Sequence, residues 1–442
     1  MQPLKQCQYL FIYFWCFCKA IDMKLFLTIF SFCLLAGCAA QKSQQAVTNN
    51  SNTDRIIAGA ERMNVYLPLI KGKRVGIFAN QTSMVGNAHL VDTLLKAGVD
   101  IRVIFGPEHG FRGTADAGEK VGNYTDQKTG IPVISLYGQK RRPSAEDLKD
   151  VDVLIFDIQD VGVRFYTYIS SLQEFMEAAF ENSKPLMILD RPNPNGFYVD
   201  GPVLDPKFKS FVGMQPVPIV YGMTIAEYAM MIAGERWLSS EKANQKHDYY
   251  KTAQNSADTP FHFQIIKCGN YTHKSKYVLP VKPSPNLPEI QSIYLYPSIC
   301  LFEGTVLSEG RGTDKPFQVF GHPLLPKNLY AFVPKPNEGA KSSKHYYETC
   351  YGWNLHGEPE EVLKKVDNKI QLKFLMKAYK LFPGKDTFFL KSNSFNRLAG
   401  NDVLMQQIKD EKSEKEIRKS WQPALSEFKK IRKKYLLYPD FE

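Results

Sequence analysis

Short apolar runs alternating with helix-like stretches constrain this chain more than any other feature it has. Arg74-Val-Gly-Ile-Phe-Ala79 reads as a buried strand, and so do residues 101–105, 132–137, 153–157 and 186–190, each rich in branched or aromatic side chains. Helical patterns fall between several of them, near 89–97, 144–149 and 170–181. Parallel neighbours need crossover segments of this kind, whereas hairpins do not. The pattern therefore predicts an α/β fold built on a Rossmann-like, doubly wound, mainly parallel sheet. Open sheets of that type place ligands outside the carboxyl ends of their strands.

Those ends carry polar loops here. Asn80-Gln-Thr-Ser83 follows the first strand and Phe105-Gly-Pro-Glu-His-Gly-Phe-Arg-Gly113 runs out of the second. Asp157-Ile-Gln-Asp-Val-Gly-Val-Arg-Phe-Tyr-Thr-Tyr168 follows a later strand, and Asp190-Arg-Pro-Asn-Pro-Asn-Gly196 closes the series. Any one of them reads equally well as a turn plus a helix cap, because Asp, Asn and Ser do that routinely. Four on one edge of one sheet read as a site. The glycines around Glu108, His109 and Arg112 let backbone approach a ligand closely. No Gly-x-Gly-x-x-Gly or Gly-Lys-Thr follows the first strand, so no nucleotide cofactor is expected. Without His-Glu-x-x-His or similar spacing no metal site is expected, and without Gly-x-Ser-x-Gly no serine hydrolase.

A length of 442 residues with 44% apolar side chains suits two domains with sizeable cores. Pro280-Val-Lys-Pro-Ser-Pro-Asn-Leu-Pro288 excludes helix and central strand, and marks the boundary or a cleft-lining linker. The expected division is a sheet domain over 54–285 and a smaller α+β domain over 286–442. The second would hold a strand at 299–303 and helices at about 359–366, 372–380, 402–409 and 414–435. Ahead of both, residues from Met23 combine a short basic start, an apolar run too brief to span a bilayer and a small-residue cleavage context. Residues 1–37 read as a secretory signal with its true start at Met23, against the alternative of an uncleaved membrane segment. Residues 38–53, rich in Gln, Ser and Asn, read as a tether. Leu35-Ala36-Gly37-Cys38 resembles the bacterial lipoprotein box, which makes Cys38 the lipid-bearing residue and implies an exported, membrane-anchored, periplasm-facing protein.

Loss of the leader removes Lys5, Lys19, Lys24 and Asp22, taking the formal charge from +11 to +9. Much of this charge sits in a C-terminal run from Lys412 to Lys434, which an exposed amphipathic helix explains better than a nucleic-acid site. Beyond the leader and Cys38, Cys268, Cys300 and Cys350 remain, too few and too scattered for a disulfide scaffold.

Taken together, Gly106-Pro-Glu-His-Gly110, the 157–168 loop, Asp190-Arg-Pro-Asn-Pro194, Ser284-Pro-Asn-Leu-Pro288 and Phe302-Glu-Gly-Thr305 with Ser308-Glu-Gly-Arg-Gly-Thr313 resemble the exo-β-N-acetylmuramidases of the NamZ type, formerly a DUF1343-type family of unknown function. The resemblance runs from about Asp54 to the Leu437-Tyr-Pro-Asp-Phe441 terminus. It implies a Rossmann-like N-terminal domain, a smaller C-terminal domain, and a cleft between them that removes terminal N-acetylmuramic acid from peptidoglycan-derived glycans or muropeptides; no cofactor is expected. It also places a catalytic Glu at Glu108.

Glycoside hydrolysis needs a proton donor and a second group to stabilise an oxocarbenium-like centre. Glu108 is the expected acid; a general acid must hold its proton near neutrality, which partial desolvation favours. His109 is an active-site candidate, against a core or capping role. For the second carboxylate Asp160 leads Asp157, Glu303 and Glu309, and the substrate's own acetamido group is a further possibility. The lactyl carboxylate of N-acetylmuramic acid calls for a guanidinium, from Arg112, Arg164, Arg191 or Arg311. Tyr166 and Tyr168 would stack on the sugar or pack into the core. Asn80, Asp190, Asn193, Asn286 and Thr313 complete the expected substrate contacts. Two rival readings fit the same residues: a lipoprotein that binds a sugar acid without cleaving it, and a peptidoglycan amide or ester hydrolase.

Overall fold

The computed structural model describes residues 55–108, 110–113 and 122–442. The leader, Cys38, the tether and His109 lie outside the described residues. Residues 56–442 form one compact unit.

Its centre is a seven-stranded sheet in the order β5-β6-β4-β1-β7-β8-β9. The strands are β1 (Arg74–Ala79), β4 (Asp100–Gly106), β5 (Tyr124–Thr125), β6 (Pro132–Ser135), β7 (Val153–Asp157), β8 (Leu186–Leu189) and β9 (Phe263–Ile266). β2 (Met84–Val85) and β3 (Ala88–His89) form a separate small ribbon. All neighbours in the large sheet run parallel except the short edge pair β5–β6. Strand order reverses beside β1, with β4 on one flank and β7 on the other. That is the switch point at which doubly wound sheets bind ligands.

Both faces of this sheet are covered, as a parallel sheet requires. Phe78, Phe105 and Phe156 face one core and Ile77, Ile104 and Ile155 the other, the alternation expected of successive strand residues. Phe78 stacks on Phe156 at 5.1 Å and 9°, and Phe175 packs on Phe78 from a helix spanning Tyr168–Glu181. That helix is amphipathic inward almost all round, since twelve of its residues are buried. On the other face lie α1 (Met63–Ile70) and α2 (Leu90–Lys96), through Tyr66, Leu90, Val91 and Leu94. The Tyr168–Glu181 helix is α3, followed by α4 (Ile225–Gly234) and α5 (Glu241–Tyr250).

The C-terminal portion holds a three-stranded antiparallel sheet, β10 (Val319–His322), β12 (Cys350–Asn354) and β11 (Tyr330–Phe332) in that order. Around it pack α6 (Ile290–Ile299), α7 (Pro359–Val366), α8 (Leu372–Leu381), α9 (Ser394–Ala399), α10 (Val403–Lys409) and α11 (Glu414–Lys433). An aromatic stack runs from Phe302 through Phe320 to Trp353, with centroid spacings of 4.5 and 4.9 Å. One buried cluster is continuous from Phe78 to Phe428, across the proline-rich boundary expected at 280–288.

Two expected elements differ. Residues 299–303 end α6 and enter a 3-10 turn, Cys300–Gly304, instead of forming a strand. A short apolar run has the same pattern in a buried helix end as in a strand, and burial decides between them. Residues 144–149 form turns, because Asp147 accepts from both the amide and the hydroxyl of Ser144 and closes the chain locally. The basic C-terminal run is the amphipathic α11, opened by a capping box in which Ser413 and Glu416 bond each other's backbone amides. Its Arg432 departs from the exposed pattern: it is fully buried, pairs with Asp440 at 2.7 and 2.8 Å, and donates to the Gly222 carbonyl.

Candidate active site

A cavity of about 510 Å³ opens at the carboxyl ends of β4, β6 and β7. Glu108 enters it from the loop after β4, Tyr137, Gly138 and Arg141 from the loop after β6, and residues 165–168 from the loop that leads into α3. Ser284, Asn286 and Leu287 add the proline-rich segment. Tyr296, Glu303, Arg311 and Phe317 supply the C-terminal wall.

The Glu108 carboxylate is held at both oxygens. Tyr137 donates its hydroxyl to Oε1 at 3.0 Å, and the Thr167 hydroxyl reaches Oε2 at 3.3 Å. Burial first, and the Glu108 charge second, push the Tyr137 phenol up to about 12, so it remains a donor through neutral pH. Glu303 accepts from Arg311 through Nη2 at 2.7 Å and Nε at 3.3 Å. Burial opposes the Arg311 charge, but Glu303 and Glu309 outweigh it and leave its pKa above the ordinary arginine value. The site thus pairs one carboxyl braced by hydroxyls with another braced by a guanidinium.

Tyr166 and Tyr168 meet edge to face at 4.8 Å and 73°. Both hydroxyls reach the Pro283 carbonyl, at 2.9 and 3.4 Å, and Asn80 donates to the Tyr168 oxygen at 2.9 Å. Desolvation raises both phenols. The two rings are core residues that border the cavity, and they tie the proline-rich segment to the sheet. Asn286 borders it too, while its side-chain amide donates to the Gly339 carbonyl at 2.7 Å.

Other expected contacts sit elsewhere. Asp160 does not line the cavity and is buried. Its Oδ2 accepts from the Gly162 amide at 2.6 Å and from the Tyr221 hydroxyl, while Oδ1 has no hydrogen-bond partner. Burial outweighs those bonds and pushes its carboxyl up to about 6. It pins the turn at Gly162, where φ is +76° and a Cβ would lie 2.2 Å from Asn193 Oδ1. Asp160, expected as the second carboxylate, thus lies away from the cavity, and of the carboxylates named for that role Glu303 is the one that borders it.

The arginine expectations change in the same way. Arg164 is fully buried and donates to the carbonyls of Pro202, Val217 and Leu398, each at 2.8 Å. Arg191 makes a buried two-point pair with Asp157 at 2.6 and 2.8 Å. Arg112 holds Asp126 at 2.8 and 3.1 Å and lies over the Phe111 ring. Each has its charge or its donors committed within the fold. Asp190 accepts from Thr224, Tyr438 and the amides of Arg191 and Ala226, joining the start of α4 to the C-terminal tail. Asn193 spans Met223 and Asn195, and Asn80 serves Thr82 and Tyr168. Glu309 is buried between Arg311 and Lys344, and Thr313 closes a turn on Gly310. None of these eight expected contacts lines the cavity.

Tyr137, Arg141, Phe211 and Tyr296 were absent from the expected site. Tyr137 and Arg141 follow an expected strand just as Glu108 does, and the Lys140-Arg141-Arg142 run was the available signal. Phe211 and Tyr296 carry no local mark, because their place depends on tertiary folding. Among the described residues no group of three His, Cys, Asp or Glu could hold a metal, Cys268, Cys300 and Cys350 are free and buried, and no helix is long and apolar enough to cross a membrane.

An open parallel sheet with two carboxyls and a guanidinium lining a cavity at the carboxyl ends of its strands defines an α/β protein equipped for acid–base chemistry. The comparisons narrow it. Family models described as exo-beta-N-acetylmuramidase NamZ match residues 75–291 with the N-terminal part and 294–438 with the C-terminal part. The chain belongs to the NamZ family. It is 38% identical over 422 residues to the peptidoglycan beta-N-acetylmuramidase NamZ of Bacillus subtilis (strain 168), covering 90% of this chain and 95% of that protein. Two solved DUF1343 family proteins from Bacteroides fragilis also resemble it. One is 45% identical with a TM-score of 0.75, the other 28% with 0.68, and each comparison covers 87% of this chain and 99% of the other.

Proposed function

We propose that this chain is an exo-acting glycoside hydrolase that releases terminal N-acetylmuramic acid from peptidoglycan fragments, with Glu108 as the general acid. The observation that carries this reading is the bracing of Glu108 at the cavity by two hydroxyls, Tyr137 and Thr167. A hydroxyl can donate or accept, so both contacts persist when the carboxyl gains or loses its proton. A group that alternates between acid and base needs that tolerance. Glu303 supplies negative charge from the C-terminal wall, where positive charge develops on the sugar ring as the glycosidic bond lengthens. The 38% identity to a muramidase over nearly the whole chain supports the substrate class. The lipoprotein-like box at Cys38 supports an exported setting in which such fragments are met.

Turnover of a chromogenic β-N-acetylmuramide tests the assignment. Glu108→Gln keeps the shape and both hydrogen bonds but cannot protonate the leaving oxygen, so kcat falls on the order of 100-fold or more, as loss of general acid catalysis requires. A wild-type protein that binds the sugar and releases no chromophore would make it a sugar-acid-binding protein.

A further inference from the structure

Two adjacent arginines on the loop after β6 have opposite fates. Arg142 is committed to the fold: its guanidinium reaches Glu174 at 2.7 Å, Glu177 at 2.9 Å and Glu181 at 3.5 Å. Those glutamates follow one another at three- and four-residue intervals on α3, so one face of the helix presents all three to the loop. Arg141 borders the cavity instead, with its guanidinium carbon 4.2 Å from the centroid of the Phe211 ring. Among the described residues its one hydrogen bond is a long 3.4 Å contact from Nε to the Gly138 carbonyl. Lys140, on its other side, is paired with Asp147 at 2.6 Å.

Among the described residues two cationic side chains border the cavity, Arg141 and Arg311. Arg311 is bound to Glu303 and lies 3.5 Å from Glu309. That leaves Arg141 as the cation there with no carboxylate partner among the described residues. The ring of Phe211 covers one face of its guanidinium and restrains the plane, while the in-plane N–H groups stay open for a two-point bond to a carboxylate. Resting on the reading above, we propose that Arg141, stacked on Phe211 and carried by the loop that Arg142 anchors to α3, binds the lactyl carboxylate of the substrate and sets the preference for muramic over glucosamine sugars.

The test uses binding as well as turnover. Wild-type protein and Arg141→Ala are titrated calorimetrically with N-acetylmuramic acid and with its lactyl carboxamide, which has the same shape without the charge. Wild type prefers the acid on the order of 10- to 100-fold, the usual worth of a charge-assisted pair. Arg141→Ala binds the acid no better than the amide, and Arg141→Lys recovers part of the preference, because a lysine supplies charge without the fork. With the chromogenic muramide, the Ala variant raises KM more than it lowers kcat. An unchanged preference for the acid in Arg141→Ala, with the variant's melting curve intact, would overturn the proposal, as would a wild type that does not distinguish acid from amide. Failure of wild-type turnover alone would count against the glycosidase reading, and leaves the binding preference to judge Arg141.

Discussion

Arg164 looks from the sequence like a substrate ligand, since it follows a strand among Asp, Gly and Tyr residues. In the fold it satisfies three backbone carbonyls on segments far apart in sequence, Pro202, Val217 and Leu398. Burial with no carboxylate beside it pushes its pKa down, so the cation is held by geometry and by dipoles. A lysine has no planar fork to reach three acceptors, and a Cβ on the neighbouring Gly400 would already meet Nη2 at 2.5 Å. Arg164→Lys should therefore cost about 2–4 kcal/mol, as loss of buried charge-assisted bonds does. Thermal melting checks it: a clear drop in Tm is expected, and an unchanged Tm would show that the three carbonyl contacts contribute little. Residue type gives no means of separating Arg164 from Arg141. Both are arginines in polar loops, and only long-range packing decides which one faces solvent-filled space.

The same limit holds for elements, with one difference. Strands β1, β7 and β8 were legible because they bury both faces almost throughout and so read as nearly continuous apolar runs, while β4 and β6 keep a short branched or aromatic run despite exposed positions. The edge strand β9 was not, since Phe263, Gln264 and Ile265 are only half-buried. The segment 299–303 was misread because a buried helix end and a buried strand share one apolar signature. What the element scale adds to function is α3. Its first residue, Tyr168, borders the cavity, and its Glu174, Glu177 and Glu181 hold the loop that carries Tyr137 and Arg141. Arg142→Ala cuts that link without touching the cavity. The expected outcome is a rise in KM of about tenfold from misplacement of the loop, with a stability loss of about 1 kcal/mol because Arg142 is partly exposed. Steady-state kinetics beside a melting curve separates the two. Unchanged KM would mean the loop is held by other contacts.

At the scale of the molecule, the sheet with its switch point and the placement of Glu108 at its carboxyl edge were readable in sequence. Both depend on local pattern and on a general rule of parallel sheets. The far wall was readable only in part: Glu303 and Arg311 were among the candidates, yet Tyr296 and Phe317 come together with them through the continuous core that joins α6 to the antiparallel sheet. The C-terminal tail shows how tightly the chain closes on itself. Tyr438 donates to Asp190, the Leu437 amide donates to Glu227, and Arg432 clasps Asp440. The first two contacts tie the tail to the loop after β8 and to α4.

The central claim concerns which bond this cavity breaks and at which end of the glycan. A disaccharide with N-acetylmuramic acid at its non-reducing end, incubated with the wild-type protein and followed by mass spectrometry, tests it most directly. Free N-acetylmuramic acid and free N-acetylglucosamine should accumulate together, while the disaccharide of reversed order stays intact. An intact muramic-terminated disaccharide, or a peptide-bearing analogue that loses its peptide and keeps its glycosidic bond, would contradict the account.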